Sequence, residues 1–145
     1  MPSRRRGSPP DPPRTVFFLD RGLGRGLVAD MLRSEGHEVK PMADVYPGGL
    51  DQEVDDPTWI RDVSAAGWIA LTKDSRLIRD HREALEGSAL RVFALDSSNL
   101  TGVEMAERIR GHLGRILHRA AKPGPYVYVL HRERIELRWR PEKMP

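Results

Sequence analysis

The feature that most narrows what this chain can fold into is the run Trp68 to Leu71, four apolar residues that break abruptly into Thr72, Lys73 and Asp74. With no polar residue between them, they fit a strand covered on both faces, as in a parallel sheet flanked by helices. Such a strand delivers its last residues to one edge of the sheet, where open α/β folds bind ligands. Val16 to Leu19 repeats the pattern near the N-terminus and runs into Asp20. If the two strands lie parallel and adjacent, Asp20 and Asp74 converge on one patch. Two carboxylates brought together from distant parts of a chain point to a divalent metal or a shared proton.

The rest of the chain reads as a frame for those strands. A helix is expected from about Leu23 to Ser34, with Leu23, Leu27, Met31 and Leu32 on one face and Gly36 as its C′ residue, then a short strand over Glu38 to Met42. Residues 43 to 56 form an acidic loop, and Pro57 opens a helix as its first residue with Asp56 as N-cap. Ser75 to Glu86 reads as a helix and Leu90 to Leu95 as a fourth strand ending in Asp96. Thr101 and Glu104 make a capping box for the longest helix, whose apolar face carries Ala106, Ile109, Leu113, Ile116, Leu117 and Ala120. YVYVLH and RIELRW around Arg132 and Glu133 predict a hairpin, with Ile135, Leu137 and Trp139 on its apolar side. This order predicts a three-layer α/β/α domain with a central parallel sheet and a C-terminal β-hairpin. Right-handed crossovers put Asp20, Asp74 and Asp96 on one rim.

At 145 residues the chain suits one domain, large enough to bury about 68–70% of its unfolded surface without staples. Residues 1 to 14, rich in Pro, Ser and Arg, read as a disordered arm before a domain spanning 15 to 145. Cysteine is absent, which excludes disulfides and thiolate metal sites. No apolar run approaches the ~20 residues of a membrane span, and Pro9, Pro10, Pro12 and Pro13 stand where a signal peptide needs an apolar segment. The expectation is a soluble, cytoplasmic protein with no membrane partner. The net charge of +3 hides an asymmetry: residues 15 to 96 carry 10 basic and 15 acidic side chains, residues 97 to 145 carry 10 and 5. An acidic cluster beside a basic surface suits a metal site that handles a polyanion, although solvated faces account for the same charges.

Each candidate residue has a structural alternative. Asp74 and Asp56 stand where helix N-caps stand, whereas Gly22 and Gly24 separate Asp20 from the following helix. Thr72 offers a hydroxyl and Lys73 a phosphate contact, or a surface cation. The Gly22, Gly24, Gly26 turn lacks the dinucleotide-binding spacing, since Leu27 occupies the place of the third glycine. The five histidines show no metal-ligand spacing. Mg²⁺ or Mn²⁺ takes oxygen ligands and retains waters, so two to four carboxylates suffice to hold it.

FFLDRGLGRGLVADMLRSEGHEV, DDPTWIRDVSAAGWIALTKDSRL and VFALDSSNLTGVEMAERI together resemble the PIN-like domains of the VapC toxin type, in the subgroup with Asp-x-x-Trp and Thr-Lys-Asp motifs. The likeness covers about residues 15 to 140. It implies a Mg²⁺- or Mn²⁺-dependent ribonuclease with a protein antitoxin as partner. By this resemblance Asp20 is the first acid, Asp56 the second with Asp55 as substitute, and Asp74 the third, with Thr72 beside it. Asp96, Asp80 and Glu83 compete for the place of a fourth. The RNA is then steered by Arg115, Arg119, Lys122, Arg134, Arg138 and Arg140. Competing readings are a degenerate domain that binds RNA or a partner protein without cutting, and a phospho-receiver domain, disfavoured because Arg21 follows Asp20 where an acidic pair belongs. A homodimer stays open at this point.

Overall fold

The structure is a computed structural model describing residues 15–142. The arm expected over residues 1 to 14 lies outside the described residues, as do residues 143 to 145. The elements run β1 (Val16–Leu19), α1 (Leu27–Ser34), β2 (Glu38–Pro41), α2 (Met42–Val45), α3 (Asp56–Ala66), β3 (Ile69–Thr72), α4 (Leu77–Glu86), β4 (Arg91–Leu95), α5 (Gly102–Ala120), β5 (Tyr126–Leu130) and β6 (Ile135–Trp139), with 3-10 turns at Arg21–Leu23 and Leu50–Gln52.

All six strands join one sheet in the order β2-β1-β3-β4-β5-β6. β1 lies parallel between β2 and β3, with Leu19 opposite Leu71, so the ends of β1 and β3 meet as expected. β5 is parallel to β4, and only β6 runs antiparallel. The C-terminal hairpin is therefore continuous with the central sheet, which has five parallel strands.

Strand alternation sorts the core into two layers. Phe17, Leu19, Leu71, Phe93 and Leu95 face α1 and α5, packing on Val28, Leu32, Ile109 and Ile116. Phe18, Ala70 and Val92 face α3 and α4, packing on Trp59, Ile60, Val63 and Leu77. Trp59 is fully buried and stacks on Phe18, with ring centroids 5.2 Å apart. Truncating such an aromatic costs about 3–5 kcal/mol.

Several local expectations shift: β2 ends at Pro41 and Met42–Val45 forms α2 at the head of the expected loop, and α4 starts at Leu77 rather than Ser75. α1 starts at Leu27 rather than Leu23, because the glycine-rich turn is used up by a 3-10 turn that Gly24 closes at φ +68. Asp55, not Asp56, caps α3, accepting from Thr58 N–H at 2.9 Å. In β6 a bulge opposite Val127 and Tyr128 breaks the alternation. Ile135 consequently packs with the α1/α5 layer and Trp139 with the α3/α4 layer, and Leu137 is left 41% exposed. The Thr101–Glu104 capping box and the C′ glycine at Gly36 (φ +92) form as expected.

Candidate active site

The rim at the C-terminal ends of the parallel strands gathers the sequence-nominated acids, but binds each differently. Asp20 follows β1 directly, and its N–H donates to Leu71 O at 3.0 Å. Its Oδ1 accepts from Arg21 N–H at 2.5 Å, and its Oδ2 accepts from the Thr72 hydroxyl at 2.6 Å. Thr72 is the last residue of β3 and fully buried; the same hydroxyl accepts from Asp74 N–H at 3.0 Å. One hydroxyl thus ties together the two strand ends that carry the acids.

Asp56 is the first residue of α3. Because Asp55 takes over the cap, both oxygens of Asp56 are released for side-chain partners. Oδ1 accepts from the Trp59 indole N–H at 2.7 Å, which gives the Asp-x-x-Trp spacing its physical meaning, and Oδ2 lies 2.9 Å from His81 Nε2. His81 escaped the sequence reading because its partner lies on another helix; the spacing of histidines along the chain carries no trace of it.

Burial pushes the Asp20 carboxyl above its ordinary range, the nearby Asp56 charge adds to that effect, and the Thr72 and Arg21 hydrogen bonds oppose it. Among the described residues no Lys or Arg side chain forms an ion pair with Asp20. Asp96 contrasts with it: Arg108 bonds its Oδ1 and His131 Nδ1 stands 3.5 Å from its Oδ2, so its charge is already matched. Asp74 accepts from Arg76 N–H at 2.9 Å, a contact within the turn ahead of α4; it does not cap that helix, which starts at Leu77 with Arg76 in the N-cap position. Asp80 is spent on Arg79 at 2.9 Å.

Two clefts open along this rim. One, of about 220 Å³, is lined by Asp20, Arg21, Gly24, Arg25, Asp51 and Gln52. The other, of about 530 Å³, is lined by Lys73, Asp74, Arg76, Asp96, Ser97 and Asn99. The Lys73 stem runs over Gly22, where an added Cβ would come within 2.5 Å of it, so Lys73 reaches from β3 toward the Asp20 turn. Arg21 is exposed, yet its guanidinium bonds Asp51 O and Val54 O, anchoring the loop that leads to Asp55 and Asp56.

The donor chemistry at Asp20 and Asp56 suits a hard divalent cation, being two oxygen-donor carboxylates whose charges oppose one another. Among the described residues no group of three or more His, Cys, Asp or Glu side chains stands close enough to share one ion.

The basic residues nominated for RNA spread over the fold. Arg115 donates to His112 Nδ1 at 3.2 Å, and the buried His112 donates through Nε2 to His131 O. Arg119 lies over the Tyr128 ring at 5.4 Å, and Arg138 bonds Glu136 at 3.0 Å, with Arg134 4.0 Å from the same carboxylate. Arg119 and Lys122 sit where α5 ends, beside the start of β4 that Arg91 ties to Ala120 O, and Arg140 follows the end of β6 that pairs with Val127. Those three lie at the opposite end of the strands from Asp20.

The comparisons with known proteins agree with this architecture. Residues 15–97 match the family model described as PIN like domain. The chain is 30% identical over 121 residues to a Mycobacterium tuberculosis (strain ATCC 25618 / H37Rv) protein named "Putative ribonuclease VapC45", covering 82% of this chain and 88% of that protein. No solved structure matches. No helix among the described residues is long and apolar enough to cross a membrane. With strand ends, acids and family match coinciding over the same residues, the chain belongs to the PIN-like domain family.

Proposed function

We propose that this protein is a metal-dependent endoribonuclease of the VapC toxin type, hydrolysing RNA phosphodiester bonds, with an antitoxin protein as its partner. The observation that carries the reading is Asp20: a carboxylate desolvated beside a second carboxylate, Asp56, with no basic side chain among the described residues paired to it. A fold maintains a desolvated carboxylate such as Asp20 beside a second one at a cost in stability, which a bound cation relieves. The name of the mycobacterial relative adds the chemistry, a ribonuclease.

In this reading Asp20 and Asp56 hold Mg²⁺ or Mn²⁺, Asp74 acts from the neighbouring cleft at the end of β3, and Asp96, matched by Arg108, stays outside the site. A bound divalent ion supplies charge to polarise a phosphodiester and to acidify water. The protein's own contribution is orientation. Thr72 holds Asp20 through Oδ2 and fixes the backbone of Asp74, while Lys73 stands at the cleft beside Asp74 as a contact for phosphate. Arg134 and Arg115 remain candidates to guide RNA along this side of the domain.

The deciding experiment is cleavage of a mixed RNA pool by the purified protein with Mn²⁺, Mg²⁺ or EDTA, beside Asp20→Asn and Asp74→Asn. Metal-dependent cutting that both variants lose supports the nuclease. A second reading, a domain that binds RNA or a partner protein without cutting, draws on the absence of a three-acid group among the described residues and on Asp74's engagement with Arg76 N–H. RNA retained without cleavage and without metal dependence would favour it.

A further inference from the structure

Asp56 stands at a weak point of the proposed site. It is the first residue of α3 and follows a long loop, so the strands that fix Asp20 and Thr72 do not fix it. An aspartate in that position has several χ1 rotamers available, and its carboxylate also turns about the Cβ–Cγ bond. Two side chains remove both freedoms. The indole of Trp59, fully buried and stacked on Phe18, donates to Oδ1, and His81 Nε2 lies 2.9 Å from Oδ2. One bond would leave the carboxylate free to swing about it, whereas two on different oxygens fix its plane.

His81 comes from α4, and the backbone gives way to bring it there. At His81 the helix leaves helical geometry, with φ −137 and ψ 37, although helical residues stand on either side. Side chains of Asp56 and His81 are about 31% and 25% exposed, so their contact lies at the mouth of the site rather than in the core. A carboxylate has about four acceptor positions, so two such bonds leave positions open to a cation. Hydrogen-bonding partners behind metal-ligating groups typically govern metal affinity about 10–100-fold.

We infer that His81 is a positioning residue: it holds the Asp56 carboxylate in the orientation that lets it share a divalent cation with Asp20. The inference rests on the reading of Asp56 as a ligand. His81 acts through Asp56 and touches neither the ion nor the RNA.

The test is Mn²⁺ binding by calorimetry at one fixed pH, with the full chain and the metal alone, on wild type, His81→Ala, His81→Gln and Asp56→Asn. A glutamine side-chain nitrogen sits as many bonds from Cα as His Nε2, so it donates the same hydrogen bond without the imidazole. The expected result is Mn²⁺ affinity about 10–100-fold weaker in His81→Ala and close to wild type in His81→Gln, with the double variant Asp56→Asn/His81→Ala no weaker than Asp56→Asn alone. RNA cleavage by His81→Ala should recover as Mn²⁺ is raised. Unchanged affinity in His81→Ala, or equal loss in His81→Gln, overturns the positioning role while leaving the nuclease reading intact. Absence of Mn²⁺ binding by the wild type overturns both.

Discussion

The Thr72 hydroxyl, fully buried at the end of β3, donates a 2.6 Å hydrogen bond to Asp20 Oδ2. Because the same oxygen accepts from Asp74 N–H, removing it strands two polar groups at once. Thr72→Val keeps the shape of the side chain and is expected to destabilise the protein by about 1–3 kcal/mol in urea unfolding, the cost of unpaired buried groups. Thr72→Ser keeps the hydroxyl and should cost about 0.8 kcal/mol, one methyl group. Equal losses in the two variants would show that the hydroxyl bridge contributes nothing.

Asp20 gives a pH signature of the opposite sign to a salt-bridged acid. Its folded-state pKa is raised above the ordinary value of 3.8, so the folded protein binds that proton more tightly than the unfolded chain. The resulting stability is fully present below 3.8 and is lost as pH rises through the folded pKa. Asp20→Asn should therefore melt above wild type at pH 8, with the advantage disappearing toward pH 4. Thermal melts at the two pH values check this; a variant less stable than wild type at pH 8 contradicts the burial argument.

Glu136 should show the reverse. Hydrogen bonds from Arg138 and His131 hold its carboxyl down at about 2, against an ordinary 4.5. Stability from this group is present above 4.5 and lost as pH falls through about 2. Glu136→Gln is expected to lower the melting temperature at pH 7 and to converge with wild type as pH falls through that window.

Arg21 bonds the carbonyls of Asp51 and Val54 from the turn after Asp20, so its removal should loosen the acidic loop and leave the sheet in place. Arg21→Ala is expected to lower amide protection in residues 50 to 54 by on the order of 1 kcal/mol, read by hydrogen exchange. Arg21→Lys should not restore it, because an ammonium lacks the planar fork that spans two carbonyls.

The placement of the basic residues divides the expected RNA contacts. Lys73→Ala, at the cleft beside Asp74, should weaken RNA binding and reduce the slope of log affinity against log salt by ~1. Joint substitution of Arg119, Lys122 and Arg140 by alanine, at the far end of the strands, should leave cleavage unchanged. Loss of cleavage in that triple variant would mean that RNA wraps the whole domain.

Much of the fold is legible because the signals are local and periodic. Unbroken apolar runs at Val16 to Leu19 and Trp68 to Leu71 mark strands buried on both faces, and the Thr101–Glu104 box marks the start of α5. Errors fall where one residue of backbone decides the outcome. Asp55 and Asp56 are chemically equal candidates for a cap, and only the path of the preceding loop selects Asp55. The strict alternation of β6 is broken by a bulge that depends on its partner strand, which turns Trp139 to the other face.

By itself the sequence determined which acids end the buried strands, since a strand's apolar run and the polar residue that stops it are neighbours in the chain. Tertiary structure alone decided how each acid is held: Asp20 by Thr72 across 52 positions, Asp56 by His81 from another helix, and Asp96 matched by Arg108. Hydrogen bonds and charge pairing act over a few ångströms in space whatever the separation in sequence, so the partners that tune a carboxylate come into reach only when the sheet and its helices have packed.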